Sequence, residues 1–226
     1  MPGPASGAPG PTTFEIERAL QAIEARIARV SDDPASVSIL AVSKTFGPEA
    51  VRAGVGAGLR CFGENYAAEL VDKAEELRDL DLAWHYLGAI QTNKIARLAP
   101  ITTCFQSVSR RKEAAGIAAR RPGAQIMIQV ELTGLPGRNG CLPAEVDSLV
   151  AEARAMELDV TGLMTVAPVE PDAARQAFRQ ITHIADDLGL KERSMGMTDD
   201  LELAVEEGST MVRIGRALFG ARPGQA

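Results

Sequence analysis

Cysteine is scarce: the 226-residue chain holds only Cys61, Cys104 and Cys141. The count is odd and no C-x-x-C pair occurs, so neither a disulfide framework nor a cysteine-rich zinc site is expected. All three read as buried, reduced thiols, which fits a cytoplasmic protein. No apolar run reaches the roughly 18 residues of a membrane span. The opening MPGPASGAPGPTT lacks the basic and apolar regions of a secretory signal, and residues 1–12 read as a disordered tail. Long basic runs are absent too. With a net charge of -6, general binding to nucleic acid or anionic membrane is not expected, although a local cationic pocket for a phosphate is compatible with it. No His, Cys, Asp or Glu cluster shows metal-ligand spacing, and no Ser-His-Asp set can be placed.

What is present is an ordinary globular composition, 46% hydrophobic and 24% charged, in a chain long enough for one domain with a sizeable core. Phe14, Ile16, Ala19, Leu20, Ile23, Ile27 and Val30 recur at helical spacing and predict an amphipathic helix over 14–30. Thr13 and Glu17 stand at its start, one residue too far apart for a capping box. Strand-like runs then alternate with helical ones. Strands are expected over 37–43, 61–64, 84–87, 103–108, 125–131, 160–165, 192–195 and 211–214. Helices are expected over 48–57, 66–80, 93–98, 110–120, from Pro143 onward, and over 171–188 and 199–207. About eight β-α units point to an α/β fold, a single (β/α)8 TIM barrel over 13–226 with an extra N-terminal helix. An open doubly wound sheet is the alternative, disfavoured by the strand count and by the missing G-x-G-x-x-G turn after the first strand.

Barrel sites lie at the C-terminal ends of the strands. That rule selects Ser43-Lys44, Glu64-Asn65, Met164-Thr165, Ser194 to Thr198 and Arg213 to Arg216, with His85 inside the third strand. Lys44 ends an apolar run. In a partly desolvated mouth its amine loses its proton more easily and can attack an aldehyde; otherwise it is a solvated loop lysine. Ser194 to Asp199 is a Gly-containing turn into a helix, with Thr198 as the expected N-cap. It is either a phosphate site shared with Gly215 or an ordinary capped turn. Arg213, inside an apolar strand, either donates to a ligand or pairs with a structural carboxylate. His85 is either a satisfied core group or a site residue, and His183 is a residue of a long helix.

Taken together, the sequence resembles the pyridoxal 5'-phosphate (PLP) homeostasis proteins, the YggS/PROSC family. The matching segments are Ala41-Val42-Ser43-Lys44, Phe62-Gly63-Glu64-Asn65-Tyr66, Trp84-His85-Tyr86-Leu87-Gly88, Gln91-Thr92-Asn93-Lys94, Gly162-Leu163-Met164, Ser194-Met195-Gly196-Met197-Thr198-Asp199-Asp200 and Gly208-Ser209-Thr210-Met211-Val212-Arg213-Ile214-Gly215. They run in order over nearly the whole chain after residue 36. The family in turn resembles the alanine racemase barrel, a fold-type III PLP protein. The resemblance implies a Schiff base on Lys44, and a phosphate surrounded by Ser194, Gly196, Met197, Thr198 and Gly215. It implies Arg213 at the pyridine nitrogen, Asn65 and Met164 lining the cofactor, and His85 near the ring. Arg138 stands where many relatives carry a lysine, and Arg216 where they often carry a hydroxyl residue.

An arginine at the pyridine nitrogen keeps that nitrogen unprotonated and the cofactor a weak electron sink. Racemases of this type add a second domain with a catalytic tyrosine. The only tyrosines here are Tyr66 and Tyr86, both early in the barrel. The sequence reading is therefore a PLP carrier or buffer without turnover, with an amino-acid racemase-like enzyme as the alternative. The expected partners are PLP itself, with amino acids and PLP-dependent apoenzymes as candidates. The expected state is a cytoplasmic monomer.

Overall fold

The computed structural model describes residues 10–221. Residues 1–9 of the expected tail lie outside them, and so do residues 222–226. Strands β1 (Ser38–Val42), β2 (Cys61–Glu64), β3 (Ala83–Tyr86), β4 (Cys104–Val108), β5 (Gln125–Val130), β6 (Asp159–Thr165), β7 (Glu192–Ser194) and β8 (Met211–Ile214) pair in parallel, in sequence order. The ring closes where Leu40 of β1 stands opposite Arg213 of β8. The closed sheet excludes the open-sheet alternative. The helices are α1 (Thr13–Ala28), α2 (Pro48–Gly56), α3 (Ala67–Glu76), α4 (Ile95–Leu98), α5 (Arg111–Ala118), α6 (Val146–Ala155), α7 (Pro171–Asp187), α8 (Leu201–Glu206) and α9 (Arg216–Phe219).

Alternation along each strand sorts side chains between two compartments. On β1, Ala41 and Ser43 face the helix layer, while Leu40, Val42 and then Lys44 follow the barrel interior. On β8, Val212 and Ile214 join the outer core, while Met211 and Arg213 point inward. The outer core is aliphatic and aromatic, with Phe62, Phe105 and Phe178 fully buried. The interior is mixed: Leu40, Cys104, Met127, Met164 and Met211 pack beside the buried polar groups His85, Gln106 and Gln129.

Several local expectations are corrected. The N-cap of α1 is Thr12, whose hydroxyl accepts from the Glu15 amide at 3.3 Å while the Glu15 carboxylate accepts from the Thr12 amide at 2.8 Å. This is the full capping box that Thr13 and Glu17 cannot make. Thr198 does not cap α8. The Met197 amide donates to Asp200 Oδ1 at 2.5 Å, and that turn delays the helix to Leu201. Helix α3 stops at Glu76, where Leu77 leaves helical geometry. The single-turn α9 follows Gly215 and was too short to show periodicity. Cys104 and Cys141 are buried as expected, whereas Cys61 is half-buried. His183 is an exposed residue of α7.

Candidate functional site at the barrel mouth

A cavity of about 540 Å³ opens at the C-terminal ends of the strands. Lys44, Asn65, Met164, Met197, Thr198, Arg213 and Gly215 all line it, so seven of the ten sequence-selected residues converge from five different strand ends. Lys44 is half-buried and is followed by Thr45 at φ +70°. A non-glycine residue in the left-handed region carries a cost of about 1–2 kcal/mol, and such conformations cluster where a site over-determines the backbone.

Arg213 is 5% exposed and held by acceptors rather than by a bonded carboxylate. Its Nη1 donates to the Ser194 carbonyl at 2.5 Å and to the Ser194 hydroxyl at 3.1 Å, and its Nη2 donates to the Thr165 carbonyl at 2.7 Å. Burial pulls its pKa down to about 10, opposed by the nearby Asp200, so the guanidinium stays charged at neutral pH. Its side chain lines the cavity and is anchored by the Ser194 and Thr165 carbonyls, not by a bonded carboxylate.

The remaining three residues sit behind the cavity wall. Ser194 is fully buried. Besides accepting from Arg213, its hydroxyl donates to Gln106 Oε1 at 2.7 Å. Gln106 Nε2 in turn lies 2.6 Å from His85 Nδ1. Burial depresses the His85 pKa to about 4, so the ring is neutral and its Nδ1 accepts from the Gln106 amide. His85 faces a separate hollow at the strand starts, not the mouth. Among the described residues it is linked to the mouth through the chain His85–Gln106–Ser194–Arg213. Gly196, at φ +90°, is buried under the loop, and a Cβ there would meet Ala204 Cβ at 2.5 Å. It shapes the 195–199 loop instead of lining the cavity. Because α8 is a single short helix, any anion here meets loop amides and side chains rather than a substantial helix dipole.

The loop is also braced from outside. Arg26 of α1 donates to the Thr198 carbonyl at 2.9 Å while pairing with Glu202 through Nε at 2.6 Å and Nη2 at 2.5 Å. At the rim Arg216 pairs with Asp199, both lining the mouth. Sequence reasoning passed over Gln129, which lines the cavity and exchanges amide hydrogen bonds with Asn139, at 2.9 Å to its carbonyl and 2.7 Å from its Nδ2. Its place near the C-terminal end of β5 was the available signal. Among the described residues no group of His, Cys, Asp and Glu is arranged to hold a metal ion.

A strand-one lysine and a strand-eight arginine sharing the mouth of a closed parallel barrel define a class. The sequence accordingly matches the family described as alanine racemase, N-terminal domain, over residues 19–223. Among curated relatives, the pyridoxal phosphate homeostasis protein of Pseudomonas aeruginosa is 43% identical over 199 residues, covering 84% of this chain and 86% of the relative. The protein of that name from Escherichia coli is 36% identical over 216 residues, covering 88% and 92%. The chain belongs to the pyridoxal phosphate homeostasis protein family. Among solved structures, PipY of Synechococcus elongatus with PLP bound superposes with a TM-score of 0.77 at 34% identity, covering 88% of this chain and all (100%) of PipY. Alanine racemase of Corynebacterium glutamicum shares the barrel alone, with a TM-score of 0.71 at 18% identity over 95% of this chain and 63% of that enzyme.

Proposed function

We propose that this protein binds PLP at the barrel mouth as a Schiff base on Lys44, and that it carries or buffers the cofactor within intracellular PLP homeostasis. The observation that carries this reading is the convergence of Lys44 and Arg213 on one cavity in a chain whose relatives bear that name. The donor set fits the cofactor. The cavity, at about 540 Å³, lies within the small-molecule range of about 300–1,000 Å³. When bound, PLP would supply an aldehyde, the electrophile that the Lys44 amine is placed to meet.

The chain's own residues do the rest. Thr198, Gly215 and the 195–199 backbone offer donors to the phosphate, and Gly215 leaves space beside the Val42 carbonyl, which a Cβ would approach to 3.1 Å. Arg213 keeps its proton and donates to the pyridine nitrogen. Asn65 and Met164 flank the ring. Ser194 orients Arg213, and His85 supports Ser194 through Gln106.

A holding role is favoured over turnover. An arginine-paired pyridine is a weak electron sink. Neither tyrosine lines the cavity, and the Tyr86 hydroxyl donates to the Ala89 carbonyl at 3.4 Å. The relatives are named for homeostasis rather than for a reaction. We take the protein to act as a cytoplasmic monomer that exchanges PLP with apoenzymes, with amino acids as candidate releasing ligands. Among the described residues no helix is long and apolar enough to cross a membrane.

The test is a visible spectrum of the protein with PLP, followed by borohydride reduction and peptide mass mapping. A reduced adduct on Lys44 is expected; an adduct elsewhere, or none, overturns the reading. Amino-acid racemisation by the holo-protein at about 1 per second or faster would replace the carrier with a racemase-like enzyme.

A further inference from the structure

Two lysines approach the same segment of chain from opposite sides. Lys44 enters the mouth from the inside of the sheet. Lys73, on α3, reaches the sheet from the helix layer and is 4% exposed. Its ammonium donates to the Ser43 carbonyl at 2.8 Å, to Glu64 Oε1 at 2.6 Å and to Glu69 Oε2 at 3.2 Å. The Ser43 hydroxyl donates to the same Glu64 oxygen at 2.7 Å. On the far side of Lys44, the Thr45 amide donates to Glu69 Oε2 at 2.8 Å. The residues immediately before and after Lys44 are thus tied to one cluster of three charges.

Two features indicate that this cluster does more than stabilise the fold. A buried ion pair contributes little net stability compared with apolar packing of the same volume, because desolvation opposes the attraction. Here desolvation is severe: Glu64 and Ser43 are fully buried, Glu64 Oε2 has no hydrogen-bond partner among the described residues, and burial pushes the Glu64 carboxyl up against the opposing pull of Lys73. The second feature is Thr45 at φ +70°, a conformation that a β-branched residue keeps only when held. The Glu69 carboxylate is what grips its amide.

We propose that Lys73, Glu64 and Glu69 are positioning residues for the Lys44 amine, fixing the peptides on either side of it so that it meets a carbonyl carbon in one orientation. The cluster then governs covalent capture at Lys44 and not the affinity for the phosphate end, which is held by the loops after β7 and β8. The proposal rests on the PLP reading of the mouth.

The experiment compares the parent protein with Glu69→Gln and Lys73→Met, using PLP and pyridoxamine 5'-phosphate, which has an amine in place of the aldehyde. Capture is read as the rate of appearance of the borohydride-trapped Lys44 adduct, and non-covalent binding as the dissociation constant of pyridoxamine 5'-phosphate. Capture is expected to slow about fivefold in Glu69→Gln and at least about tenfold in Lys73→Met, as misorientation of a reacting group does. The pyridoxamine 5'-phosphate affinity should stay within about twofold. If Lys73→Met fails to fold, Glu69→Gln decides alone, since that side chain is 32% exposed. Parent-like capture in Glu69→Gln overturns the proposal, and so does a fall in capture matched by an equal fall in pyridoxamine 5'-phosphate affinity. A parent that forms no Lys44 adduct overturns the PLP reading itself, an outcome distinct from insensitive variants of a parent that does.

Discussion

The mouth and the floor of the barrel are hollows of similar size, about 540 and 420 Å³, with different charge. At the mouth, Lys44 and Arg213 add positive charge, and Asp199 on the rim is already answered by Arg216. At the floor, Asp159 and Glu192 face Lys191 around a neutral His85. The mouth also has what an anion needs from backbone: Gly215 in its wall and a 195–199 loop made possible by Gly196. A third hollow, about 720 Å³ between α1 and the strand starts, is larger than either and is walled by Leu20, Ile27, Val37, Ile39 and Leu59. Size alone would select that one. Held cations and backbone freedom select the mouth.

Substitutions at the two ends sharpen that contrast. Lys44→Ala should have the largest effect: the borohydride-trapped adduct disappears, while the melting temperature moves by less than about 4 °C because the lysine lies at the rim of the core. A retained adduct of parent yield, mapped to another lysine, would break the assignment. Arg213→Ala comes next. It strips the Ser194 and Thr165 carbonyls of their donor, at about 1–3 kcal/mol of stability, and should lower PLP retention on dialysis by about tenfold with the Lys44 link still trappable. Retention equal to the parent would make Arg213 a structural residue only.

Gly196→Ala should have a smaller effect, of about 1–2 kcal/mol, from forcing a side chain into φ +90° against Ala204. Phosphate-dependent binding should weaken with it, measured as pyridoxamine 5'-phosphate affinity; unchanged affinity would detach the loop from the anion. The smallest effect on PLP binding belongs to the floor, where the change is one of pH-dependent stability. The folded His85 pKa is about 4 against an ordinary 6.5, so between those values the unfolded chain binds more protons. The contribution is fully present above pH 6.5 and is lost as pH falls toward 4, by at most about 1.4 kcal/mol per pH unit. His85→Gln should flatten urea-unfolding stability across that window. A variant with the parent's pH slope would show that another group titrates there.

Most of the fold was legible because each β-α unit announces itself: an apolar run, a polar end, then helical spacing. Lys44, Arg213 and Gly215 were legible as cavity-lining residues because barrel sites gather at strand ends. His85 and Ser194 were misplaced for a shared reason. Family resemblance marks residues that matter to a site without separating those that line it from those that support it. In a strand, inward-pointing residues one step apart occupy different depths. Gln106 escaped notice because a mid-strand glutamine carries no signal until its partner Ser194 arrives from distant sequence, whereas Gln129 had a signal in its place near the end of β5, and its partner Asn139 lies on the loop just after that strand. Thr12 and Glu15 were missed because the cap was placed one residue late, at Thr13, and paired with Glu17.

Arg26 holds the Thr198 carbonyl from a helix that precedes the first strand. The 195–199 loop is thereby anchored to something outside the eightfold repeat, much as a bridge deck is anchored to its abutment. Transplanting the eight β-α units alone onto another protein would copy the cradle's outline and leave it slack. In this chain α1 and the barrel mouth act as one mechanical unit.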